Sequence, residues 1–168
     1  LVTGQAQAQT QGADLALRLF ELPIPVVFAV TGHALAMGGI LLCCADVRIG
    51  ASGPYKVGLP EVRIGMPVPA FAVELCRDRL SSRWFTRAVL LGERVDPQQA
   101  LEAGFLDEIV ELDQVRDRAR SAAAEIAEQV GRGPFRVTRS TTRQALGAQL
   151  RELLDSDPLV VEQEAPEQ

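Results

Sequence analysis

PIPVVFAVTGHALAMGGILLCCAD, residues 23–46, sets a β-branched apolar run, a turn of small residues and an apolar segment in direct succession. The run Val26–Val30 is apolar on both faces, as a buried parallel strand requires. Small residues in the turn, Gly32, Ala34, Ala36, Gly38 and Gly39, let backbone approach backbone or a ligand. Gly38–Cys44 is apolar all round and ends at Asp46, which predicts a buried helix. Strand, turn and helix in that order predict an α/β fold.

Upstream, Leu1–Gly12 is rich in Gln, Ala and Thr and reads as a loop or frayed lead-in. Asp14 is placed to cap a short helix over 15–22, which Pro23 and Pro25 stop. Downstream, 47–49 and 55–57 read as short strands separated by ASGP, and 59–69 as a proline-rich loop. Helical spacing returns over 70–80 and 82–91, with Gly92 as a C-cap. Asp96-Pro97-Gln98-Gln99 is a helix start, with Asp at the cap, Pro at the first helical position and Gln99 completing a capping box. A strand over 105–110, a long helix over 113–130 and a last helix over 135–154 follow, and the acidic tail beyond Pro158 reads as mobile. No linker separates a second domain. Residues 1–110 read as the core, and 111–168 as a helical region of the same unit.

The 168 residues suffice for one domain with its own core. With 17 basic against 22 acidic residues, the net charge of −5 argues against nucleic acid or an anionic membrane as main partner. No apolar run is long enough to span a bilayer. Three cysteines, two of them adjacent (Cys43, Cys44), suit a reduced cytoplasmic setting better than a disulfide scaffold, and no secretory signal precedes residue 14. With His33 the only histidine, no Ser-His-Asp triad or two-His metal site can be built, and no metal is expected.

Two segments carry candidate chemistry. One is GHALAMGG (32–39), where free N–H groups at a helix start favour developing negative charge, although a Gly-Gly before a buried helix also serves tight packing. The other is GLPEVRIG (58–65), a single carboxylate, Glu61, among apolar and small neighbours. A loop glutamate is ordinarily a solvated charge.

Taken in order, PVVFAVTGHALAMGG, then CADVRI (44–49), YKVGLPEVRIG (55–65) and WFTRAVLLGERVDPQQALEAGFLDEIV (84–110), the chain resembles the enoyl-CoA hydratase/isomerase (crotonase) family from about residue 15 to 130. The resemblance implies a spiral of ββα units followed by C-terminal helices, with an N-terminal portion that precedes this sequence. It implies an acyl-CoA thioester substrate, no cofactor beyond the coenzyme A of that substrate, enolate stabilisation, and assembly as a trimer or a dimer of trimers. It makes Glu61 the catalytic base and the Met37 and Gly38 N–H groups part of an oxyanion hole. Ile40, Pro60, Met66 and Phe71 become substrate-pocket residues.

Matching the motifs also puts Ile40 where the family's hydratases carry a first glutamate. Hydration by the family's route uses two carboxylates, whereas shifting a double bond needs one base acting at C2 and C4. Single-glutamate Δ3,Δ2-enoyl-CoA isomerases are the nearest match. A dienoyl isomerase would carry an aspartate where Pro69 stands. The alternatives are a hydratase with an atypical second carboxylate, or an inactive crotonase-like subunit. Leu59, Pro60, Val62 and Ile64 are expected to desolvate Glu61 and raise its pKa.

The remaining candidates read as structural. His33 is expected to pack, Cys43, Cys44 and Cys76 to be buried thiols, and Glu74 to form a surface salt bridge. Trp84 and Phe85 are expected in the core or a subunit contact. Arg136, Arg139 and Arg143 are expected on a solvated helix face, with a phosphate contact as the alternative.

Overall fold

A computed structural model describes residues 2–161. In chain order its elements are α1 (Val2–Glu21), β1 (Val27–Val30), β2 (Ala34–Leu35), α2 (Met37–Leu42), β3 (Val47–Ala51) and β4 (Val57–Gly58). A 3₁₀ turn (Glu61–Ile64), α3 (Ala70–Arg79), α4 (Ser82–Phe85), a π turn (Thr86–Leu90) and α5 (Pro97–Ala103) follow. β5 (Glu108–Val110), α6 (Val115–Gln129), α7 (Arg132–Ser156) and α8 (Pro158–Val161) complete it.

Two successive units repeat one order: β1, β2, α2, then β3, β4, α3. Each strand lies parallel to its counterpart in the next unit. β1 pairs with β3 (Val27↔Val47 to Val30↔Gly50), β3 with β5 (Ile49↔Glu108 to Ala51↔Val110), and β2 with β4. Parallel stacking of repeated units is the geometry of a spiral, and it agrees with the expected α/β class. β1 divides its side chains by the two-residue period: Phe28 and Val30 face the main core, while Val27 faces a smaller cluster of Ile49, Ala51, Val115 and Ala119 beneath α6.

Several expectations are corrected. Residues 2–12 are helical, because Ala and Gln are strong helix formers and the segment continues the turn that buries Ala13, Ala16 and Phe20. Asp14 therefore caps nothing; it lies 3.8 Å from Arg18, one turn on. The strand expected over 105–110 shortens to β5, since the Phe105 and Leu106 N–H groups donate to the Ala100 carbonyl and close α5 instead. The helix expected over 82–91 changes to π geometry, with the Leu91 N–H reaching the Thr86 carbonyl. The acidic tail's last residues, 162–168, lie outside the described residues. The capping box forms as read: Asp96 Oδ1 accepts the Gln99 N–H at 2.8 Å, and Gln99 Oε1 accepts the Asp96 N–H at 3.1 Å.

The largest correction concerns α7. Arg136 is exposed as expected, but Arg139 is only 6% exposed and Arg143 is half-buried. Both guanidiniums converge on Asp46, the residue just before β3, Arg139 Nη1 at 2.6 Å and Arg143 Nη2 at 2.8 Å. Asp46 Oδ2 also accepts the Val26 N–H at 2.7 Å. In the last turn of α1, Arg143 donates to the Phe20 carbonyl and Arg139 to the Leu19 carbonyl, which also accepts the Leu22 N–H at 3.4 Å. These bonds fasten the C-terminal helix to the first units of the fold.

Candidate active site

The β2–β4 ladder builds the site. Its register pairs Leu35 with Gly58, and the Ala36 N–H donates to the Gly58 carbonyl at 3.0 Å. Because the strands are parallel, both chains leave the ladder at the same end. β2 passes through Ala36 into the first turn of α2, delivering the N–H groups of Met37 and Gly38, which have no acceptor within the helix. β4 passes through Leu59 and Pro60 to Glu61, the first residue of the 3₁₀ turn.

Two backbone features hold this arrangement. Ala36 has φ 53°, a conformation that costs an L-residue about 1–3 kcal/mol and that lets the chain turn sharply into α2. Gly39 lies so close to β4 that a Cβ there would sit 2.9 Å from the Gly58 carbonyl oxygen. Gly38 has no such restriction, its nearest neighbour being the Ala34 Cβ at 3.8 Å.

Glu61 is 7% exposed, and its Oε2 is buried without a hydrogen-bond partner among the described residues. Burial pushes its carboxyl pKa above the ordinary value, against a smaller lowering by its own backbone N–H. The Cys43 hydrogen bond and then burial push the Cys76 thiol up, with smaller contributions from Cys43, Cys44 and Glu61. Burial likewise pushes the Cys44 thiol up to about 12. Cys43 and Cys76 Sγ lie 3.7 Å apart as free thiols in the core, as expected of buried cysteines.

Of the expected pocket residues, Ile40 (1% exposed) and Phe71 (2%) belong to the same core cluster as Leu59. Pro60 is half-buried, and Met66 is exposed, its N–H donating to the Glu61 carbonyl at 3.0 Å. Val62 and Ile64 do not desolvate Glu61 as expected: in a 3₁₀ turn that points the glutamate inward, both are exposed, Ile64 to 68%. Sequence reasoning also missed β2, whose two residues are too few for a periodic signal, and the positive φ of Ala36.

The other candidates take structural places. His33 Nδ1 accepts the Lys56 N–H at 2.9 Å, and its ring meets Tyr55 edge-on. Glu74 pairs with Arg77 at 3.3 Å. Trp84 is buried beneath the Arg87 guanidinium, and Phe85 is half-buried under Arg77.

A family model described as enoyl-CoA hydratase/isomerase matches residues 2–163. The enoyl-CoA delta isomerase 1, mitochondrial, of Mus musculus is 36% identical over 109 residues, 64% of this chain and 38% of the mouse protein. A crystal structure of an enoyl-CoA hydratase/isomerase family protein from Pseudomonas syringae superposes with a TM-score of 0.86 at 36% identity, over 90% of this chain and 65% of that one. The human mitochondrial Δ3-Δ2-enoyl-CoA isomerase superposes at 0.85 with 28% identity, over 95% and 63%. The match thus spans well under half of the curated mouse relative and just under two thirds of both solved chains. With the family's motifs, its strand–strand–helix units and a match along nearly the whole chain, this protein belongs to the enoyl-CoA hydratase/isomerase family.

Proposed function

We propose that this chain, within its complete protein, shifts the double bond of an enoyl-CoA thioester. Glu61 takes a proton from C2 of a 3-enoyl thioester. The electron pair moves onto the thioester oxygen, where the Met37 and Gly38 N–H groups stabilise the enolate; one such donor is worth about 3–4 kcal/mol of barrier. The protonated Glu61 then returns a proton at C4, the double bond settles between C2 and C3, and the carboxylate is regenerated. No cofactor takes part beyond the coenzyme A that the substrate carries.

The observation that carries this reading is the buried, unpartnered Oε2 of Glu61, a carboxylate oxygen whose desolvation raises its basicity. Further support comes from Ile40, an aliphatic side chain that offers a catalytic water no hydrogen bond, and from Glu74, whose carboxylate is engaged by Arg77. The isomerase names of the mouse and human relatives point the same way. The reading includes a cytoplasmic setting and a homotrimer or dimer of trimers. The exposed apolar side chains Val62, Ile64, Met66, Leu90 and Leu91 supply surface for such contacts in place of the buried Trp84.

The test is a panel of 3-enoyl-CoA and 2-enoyl-CoA substrates of several chain lengths, given to the complete protein and its Glu61→Gln variant. Double-bond migration without appreciable hydration is expected, with kcat falling about 10²–10⁴-fold in the variant. Hydration alone, or near-parental kcat in the variant, overturns the reading.

A further inference from the structure

Oε2 of Glu61 has no hydrogen-bond partner among the described residues, so the aim of the carboxylate depends on the backbone turn that carries it. That turn is slight. The Arg63 N–H donates to the Pro60 carbonyl at 2.9 Å, the Gly65 N–H to the Val62 carbonyl at 3.4 Å and the Met66 N–H to the Glu61 carbonyl at 3.0 Å. Bonds of 3₁₀ type are poorly aligned, and a run of four residues gains little from them.

A second segment reaches the same turn. Arg63 Nε donates to the Leu91 carbonyl at 2.8 Å, 28 positions along the chain and just past the π turn. A helix end leaves its last carbonyls without helical donors, and the guanidinium supplies one. Gly92, at φ 60°, brings the backbone so near that a Cβ there would lie 2.8 Å from Val62 Cγ2 and 3.1 Å from Arg63 Cγ. Leu91 and Gly92 thus meet Arg63 and Val62, the two residues that follow Glu61. The π turn is itself anchored in the core. Ala88 and Val89 are buried, and the Arg87 guanidinium donates to Glu93 at 2.7 and 2.6 Å while lying 4.4 Å over the buried Trp84 ring.

We propose that Arg63 is a positioning residue for Glu61: its Nε–H clamps the 3₁₀ turn to the core-anchored π turn and keeps the carboxylate turned inward. This rests on the reading of Glu61 as the base. Arg63 acts through the turn and not on the substrate. Holding a reacting group in place contributes to the rate, and a displacement of about 1 Å is costly.

The experiment compares Arg63→Ala, Arg63→Gln and Arg63→Lys in the complete protein, at a temperature where all remain folded. Gln carries an amide nitrogen where Arg carries Nε, so it keeps the donor and loses the charge. Lys keeps the charge and puts a methylene there. Arg63→Ala and Arg63→Lys are expected to lower kcat about tenfold with KM little changed, and Arg63→Gln to recover most of kcat. Hydrogen exchange over residues 61–66 is expected to quicken in the Ala and Lys variants and not in Gln, with α6 unaffected. The kinetic order is read on whichever reaction the parent catalyses. Hydration by the parent therefore sinks the isomerase reading and leaves the clamp under test, and with an inactive parent the exchange pattern decides. Recovery by Lys and not by Gln overturns the proposal, assigning Arg63 to a charge effect that also reaches Glu93. So do parental kcat and exchange in all three variants, a rise in KM alone, or exchange that quickens equally throughout the chain.

Discussion

Glu61 shows how one position couples stability to chemistry. Its folded pKa is raised above the ordinary value of 4.5, so between that value and the raised one the folded chain holds a proton that the unfolded chain releases. The neutral carboxyl is accommodated below 4.5, and this contribution is lost as pH rises through the folded pKa. Glu61→Gln removes the buried charge while keeping the shape. Thermal unfolding at neutral pH is therefore expected to show the variant more stable by about 1–2 kcal/mol, the difference shrinking as pH falls toward 4.5. A variant equally stable at both pH values contradicts the burial argument. In the isomerisation proposed above, the same shift places the acidic limb of kcat/KM above the usual glutamate range, read from a pH–rate profile. Ile40, 1% exposed, is the reciprocal case. Ile40→Glu is expected to lose several kcal/mol by denaturant titration, since a new carboxylate enters the core cluster of Leu59 and Phe71.

Elements join at contacts too close for ordinary side chains. Gly39→Ala puts a methyl group 2.9 Å from the Gly58 carbonyl, and backbone cannot yield there as a side-chain tip can. A destabilisation of about 1–3 kcal/mol is expected, and the isomerisation proposed above is expected to slow as well, because the Met37–Gly38 turn moves with the helix. Asp96→Ala tests a local rule instead: loss of the capping box costs about 1 kcal/mol and leaves activity unchanged. This second feature was legible from four consecutive residues, because a capping box closes within its own turn. The Gly39–Gly58 approach was not, since it depends on a ladder between segments twenty-three positions apart.

Across the whole molecule, Asp46, at the entry to β3, ties together the β1 entry and two arginines of α7. Asp46→Ala leaves Arg139 buried without its counter-charge, and a loss of about 3–5 kcal/mol is expected. Hydrogen exchange should report opening of α7 before the parallel sheet; uniform loss of protection would mean that Asp46 serves the sheet alone. Local signals determined much of this protein: the β-branched run at 26–30, the small-residue turn, the capping box and the order of motifs that announces the family. Those features rest on neighbours in sequence, so composition and spacing carry them. Only the tertiary structure decided that residues 2–12 are helical, that Arg139 and Arg143 turn inward, and that Val62 and Ile64 face solvent while Glu61 does not. Each of those outcomes depends on a partner far along the chain, and burial of a charge is settled by what packs over it.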